Sequence, residues 1–125
     1  MIEVFKGDTT DIIYVRPGPL NPGDLIDSNW KCFVGVTDYI NTSEMSAREV
    51  TDIVVVPVKN PDTSVTSDEE CFMCFLTPAE TLTLSVDAET TLHNWVIEVS
   101  NTTTTPPFNL ESHNELYVKE QSLEV

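Results

Sequence analysis

From Trp30 the run WKCFVGV places Trp30, Cys32, Val34 and Val36 on one side of an extended chain and Lys31, Phe33, Gly35 and Thr37 on the other. That period of two is the signature of a half-buried strand, whose apolar side needs a second flat layer to cover it. The same phase recurs in HNWVIEV, where Trp95, Ile97 and Val99 share a face. Between such runs, four glycines and eight prolines cut the chain into short segments rich in Val, Ile, Thr, Phe and Trp. This is strand vocabulary, and it predicts an all-β chain.

The remaining segments are read in the same way. IEVF (2–5) is a first strand, closed by a turn at Gly7 and Asp8, and DIIYVR (11–16) is a second. It runs into PGPLNPG, whose prolines and glycines make residues 17–24 a loop. Residues 38–50 are polar and read as a loop. DIVVVPV (52–58) is a strand containing Pro57, which cannot donate to a ladder and therefore belongs at a sheet edge or bulge. NPDTSVTSDEE (60–70) reads as an acidic turn, CFMCFL as a strand, SNTTTTPPFN as a low-complexity loop, and ELYVKE as a last strand with Leu116 and Val118 inward. The sum is about seven strands in one domain, 1–125, and no internal repeat is visible.

One segment departs from this vocabulary. In FLTPAETLTL, Thr77 followed by Pro78, Ala79 and Glu80 has capping-box spacing: the threonine oxygen accepts from the Glu80 amide while the Glu80 carboxylate reaches back to the Thr77 amide. Proline at the first helical position loses nothing, since that amide has no intrahelical partner. Thr81, Thr83, Ser85 and Val86 are poor helix formers, so the helix should span one to two turns near residues 78–83, with a polar turn from Asp87.

This order, with Asp24, Leu25 and Trp30, then Leu76, Thr77, Glu80, Thr81 and Leu84, then Trp95, Ile97 and Val99, resembles the immunoglobulin-like β-sandwich modules of bacteriophage virion proteins. The likeness is to the N-terminal domains of baseplate and tail-fibre proteins and to small neck or head proteins. It covers most of the chain, but only the Leu-Thr-Pro-Ala-Glu-Thr segment is distinctive. Related modules often carry a glycine just before the aromatic strand and an aspartate after its aromatic, whereas here Leu92, His93 and Asn94 precede Trp95 and Glu98 follows it. The resemblance implies an immunoglobulin-like antiparallel sandwich and a structural role in the virion, assembled in the bacterial host cytoplasm.

Six basic against twenty-one acidic side chains leave a net charge of −15. Nucleic acid held through its phosphates needs the opposite balance. No apolar run approaches the ~20 residues of a bilayer crossing, and MIEVFKGDTTD has neither the basic start nor the apolar block of a secretory signal. Neither a nucleic-acid nor a membrane partner is expected. Copies packed side by side need screening, a cation or a basic partner surface to offset their repulsion.

The candidates for chemistry are few. Cys71 and Cys74 form a C-x-x-C that, with Cys32, His93 and His113, has the residue types of a zinc site; on a strand, however, residues three apart point to opposite faces, and buried thiols are the expectation. An odd cysteine count in a chain with no export signal does not indicate a disulfide framework. His93 and His113 lie on the last two strands, with nothing placing either beside a thiol. Acidic pairs such as Asp8 with Asp11, or Asp68 with Glu69 and Glu70, are read as solvated turns, and no EF-hand spacing is present. Trp30 and Trp95 alternate with aliphatic residues and are expected between the sheets rather than stacked on sugars. Asn41 and Asn101 match the glycosylation acceptor pattern incidentally.

No catalytic, cofactor-binding or metal residue is therefore assigned, and a small-molecule ligand is not expected. The expected function is that of a non-enzymatic tail, neck or baseplate adaptor docking onto other virion proteins in multiple symmetric copies. The contact surfaces are expected at loops 17–24, 38–50 and 100–109, at the Pro57 strand and at the N-terminal strand, because open edges template pairing. The alternatives are a capsid decoration protein, a host-glycan recognition module using exposed tryptophan, or an acidic mimic of nucleic acid.

Overall fold

The computed structural model describes residues 2–38, 43–86 and 90–120. Its elements in chain order are β1 (Ile2–Phe5), β2 (Ile13–Val15), β3 (Lys31–Thr37), β4 (Ser43–Glu49), β5 (Ile53–Lys59), β6 (Thr66–Cys74), α1 (Pro78–Leu82), β7 (Thr90–Asn101) and β8 (Phe108–Lys119). They form a five-stranded sheet in the order β1-β8-β7-β3-β4 and a three-stranded sheet in the order β2-β6-β5. All pairings are antiparallel except β1 with β8, which is parallel. The fold is an all-β sandwich with one short helix.

The alternating faces meet as their periodicity requires. Cys32, Val34 and Val36 of β3, Trp95, Ile97 and Val99 of β7, and Leu116 and Val118 of β8 form the floor contributed by the larger sheet; Phe72 and Cys74 of β6 close over it from the smaller one. Val34 and Val36 are 0% exposed and Trp95 is 0% exposed. Trp30, just ahead of β3, stands edge-on to Phe108 with ring centroids 5.6 Å apart and planes at 69°. Burying such a set contributes on the order of 25 cal/mol per Å² of apolar surface, which makes this inter-sheet seam the main source of stability.

Three segments differ from their sequence reading. Residues 43–49 form β4, an edge strand, where a loop was expected; residues 39–42 of that segment, including Asn41, lie outside the described residues. SEMSARE lacks alternation because it sits on the rim of the sheet with register shifts opposite Val36, and its long polar side chains are held by partners far away in sequence. TSDEE opens β6 instead of forming a turn, and FNLESHN opens β8, so both strands are longer than expected, while β4 brings the described strands to eight where about seven were expected. The polar turn expected from Asp87 also lies outside the described residues.

The Gly7-Asp8 turn is present, with Gly7 at φ +87° and the Asp8 amide donating to the Phe5 carbonyl at 3.0 Å. Loop 101–108 is internally bonded despite its threonine-rich composition: the Asn101 side-chain oxygen accepts from the amide and hydroxyl of Thr103. Asn101 is 4% exposed, which removes it as a surface acceptor.

Candidate functional site

α1 starts and stops for the reasons read from the sequence. The Glu80 amide donates to Thr77 Oγ1 at 3.2 Å and the Thr77 amide donates to Glu80 Oε1 at 2.9 Å, completing the capping box, with Pro78 at the first helical position. Thr83 caps the C-terminal end by donating its amide to the Glu80 carbonyl. The turn carries the chain from β6 in the smaller sheet to β7 in the larger one.

Its polar groups are then used a second time. Arg48 of β4 donates from Nε to Glu80 Oε2 at 2.6 Å, from a terminal nitrogen to Glu80 Oε1 at 3.0 Å, and to the Phe75 carbonyl at 2.7 Å. Burial alone pushes the Glu80 carboxyl up, but the bidentate guanidinium and the Thr77 amide outweigh it and hold the group below its ordinary value. The bond to Glu80 raises Arg48 correspondingly. Thr81, 0% exposed, accepts from the Gly7 amide at 3.1 Å and donates to the Asp8 carbonyl at 2.7 Å. Leu76 exchanges bonds with Thr10, its amide donating to the Thr10 hydroxyl at 2.8 Å. The crossover thus ties β4, the β1–β2 connection and both sheets together. Arg48 and Thr10 gave no sign of this role in the sequence, because their partners are 32 and 66 residues away.

A second clamp holds loop 17–24. Arg16 donates to the Glu70 carbonyl at 2.9 Å and to the carbonyls of Asn21 and Asp24, and its guanidinium lies 3.4 Å from Glu69. Glu69, expected in a solvated turn, is 5% exposed and accepts from Ser67 Oγ and the Gly23 amide, which hold its carboxyl below the ordinary value, assisted by Arg16. Loop 17–24 is therefore strapped onto β6 rather than presented freely.

Among the described residues, Ser85, Glu44 and His93 form a Ser, His and carboxylate grouping. Glu44 accepts from the Ser85 hydroxyl and pairs with His93 Nδ1, while His93 Nε2 faces the Ser85 carbonyl at 2.7 Å. A nucleophilic serine needs its hydroxyl on the imidazole. Here the imidazole holds the serine's backbone, so the cluster joins β4 to β7 and the end of the crossover. His93 is buried and pairs in register with Leu116, whereas His113 pairs with Val96 on the solvent face; the two histidines are on opposite sides of the sheet.

The cysteines divide as strand geometry requires. Cys74 faces the core, its Sγ 3.6 Å from that of Cys32 on the opposite sheet, and Cys71 is buried on the other face of β6. Either thiol can donate in the Cys32–Cys74 contact; that bond, with burial, pushes Cys32 far up and lowers Cys74, and burial raises Cys71. Among the described residues no group of three or more His, Cys, Asp or Glu converges as a metal site, and no helix is long and apolar enough to cross a membrane. Trp30 and Trp95, 7% and 0% exposed, offer no stacking face to a sugar.

Two kinds of surface remain open. β1 and β5 are edge strands, and β5 carries Ile53 and Val55 at 39% and 62% exposure together with exposed Pro57. The outer face of the larger sheet holds a groove of ≈ 620 Å³ between β4, β3, β7 and β8. Fold and surface together define a two-layer β module whose accessible features are edges and a sheet face. No family model, curated protein or solved structure matches the chain.

Proposed function

We propose that the chain is a non-enzymatic structural subunit of a bacteriophage particle, a tail, neck or baseplate adaptor that docks onto other virion proteins in several symmetric copies. The observation that carries the docking is β5: an edge strand that runs unbroken through Pro57, with Ile53 and Val55 exposed along it. An open strand with apolar side chains is a template for β-augmentation. β1 is the second docking strand, at the far edge of the other sheet. The virion setting is supported by the resemblance of the Leu76–Leu84 segment and the aromatic strands to phage modules. The net charge of −15 favours a partner surface that brings cations.

Cross-linking of intact particles through Lys59 on β5 and Lys6 after β1 tests the reading. Links from either lysine to a tail, neck or baseplate protein support it. An ordered array over the head favours the decoration protein instead, and absence of the chain from purified particles removes the reading. The glycan module loses its tryptophan route, since both indoles are buried.

A further inference from the structure

The groove on the outer face of the larger sheet has a floor made by Phe33 and Gly35 of β3 and Val96 of β7, with Ala47 and Met45 of β4 along one side. Gly35 shapes the depression: a Cβ there would touch the β4 backbone, 3.5 Å from the Met45 carbonyl oxygen and 3.6 Å from the Ala47 Cα, so the missing side chain leaves a shallow floor that a larger one would fill. Register sets the rim. Phe33 pairs with Glu49 on one side and Glu98 on the other, and Glu98 in turn pairs with Glu111, so one row across four strands reads Glu49, Phe33, Glu98, Glu111. Directly opposed like charges on neighbouring strands are unfavourable. Lys31 lies 3.6 Å from Glu49, but Glu98 and Glu111 face each other with only His113, 3.5 Å from Glu111, as a possible counter-charge among the groove's described residues.

From this geometry we infer that the groove receives an arginine-bearing segment of a partner protein, the guanidinium lying on the Phe33 ring and bridging Glu98 and Glu111. Carboxylates on opposed strand residues are spaced to bracket a planar fork, and a guanidinium stacks on an aromatic face where an ammonium, strongly hydrated, gains less. A second copy of the chain does not fit the requirement. Its only arginines, Arg16 and Arg48, are held in internal clamps, and two copies each carrying −15 repel. The inference is independent of the virion reading, since it specifies the chemistry of the partner and not its source.

The test titrates isotope-labelled protein with a short capped peptide of alternating arginine and valine, and with its lysine counterpart, at physiological ionic strength. Saturable shifts at the Phe33, Gly35, Val96 and Glu98 amides are expected, with the arginine peptide the tighter binder. Gly35→Val, which fills the floor without altering charge, and the pair Glu98→Gln with Glu111→Gln should each weaken binding about tenfold. Shifts scattered over the acidic surface without saturation, or undiminished binding to Gly35→Val, overturn the proposal. If Gly35→Val does not fold, the glutamine pair, on the solvent face, decides: undiminished binding there overturns it equally.

Discussion

The crossover end of the sandwich and the outer face of its larger sheet use charged residues in opposite ways. At the crossover, Glu80 serves its own helix cap and Arg48 at once, and Thr81 and Thr10 answer backbone groups that burial would otherwise leave unpaired. On the outer face, Glu98 and Glu111 stand opposed beside a half-buried phenyl ring with no lysine or arginine lining the groove. The difference teaches where this chain's scarce cations are needed. Both arginines go to joints of the scaffold, and among the described residues Glu98 and Glu111 face each other with no arginine or lysine lining the groove beside them.

The contrast breaks first by truncation. Leu84, 0% exposed at the end of the crossover, should cost about 3 kcal/mol when changed to alanine, whereas Leu110→Ala, at 56% exposure, should cost less than about 0.5 kcal/mol. Denaturant unfolding of both variants checks this. Next in size is the clamp. Arg48→Met and Glu80→Gln should each destabilise by about 2 kcal/mol, with a double-mutant coupling of at least about 1 kcal/mol. Glutamine retains the capping-box reach, so the cycle isolates the contribution of the ion pair.

Acid sharpens the same point. The Glu80 carboxyl is lowered in the folded state, so its contribution is fully present above the ordinary value of 4.5 and is lost as pH falls through the lowered folded value. Stability measured from pH 6 downward should therefore fall more steeply below that point in the native chain than in Glu80→Gln. The smallest effect has the opposite sign. Relieving the like-charge pair by Glu98→Gln should raise stability by a few tenths of a kcal/mol, readable as a small upward shift in melting temperature.

What the sequence disclosed follows from the range of the interactions involved. The capped turn was legible because Thr77, Pro78 and Glu80 act within three residues, and the core strands were legible because Trp30, Val34, Trp95 and Ile97 alternate in phase. Pro57 announced an edge because a missing donor is a local property. β4 was not legible: Ser43–Glu49 is polar, and Glu44 and Arg48 are held by His93 and Glu80, 49 and 32 residues away. Glu69 read as a solvated acid because the arginine that covers it, Arg16, comes from just after β2 and reaches it only through tertiary folding. The groove was hidden for the same reason, since Phe33, Glu98 and Glu111 become neighbours only once strand order and register are set.

Native-state hydrogen exchange at the Leu76 and Thr81 amides tests most directly whether the crossover turn is a joint of the scaffold. The account predicts that both exchange only through global unfolding, at the same free energy as Val34 and Ile97 in the central ladder. Exchange of Leu76 and Thr81 at a free energy several kcal/mol lower, as in a fraying helix end, with Val34 and Ile97 still protected, would contradict it.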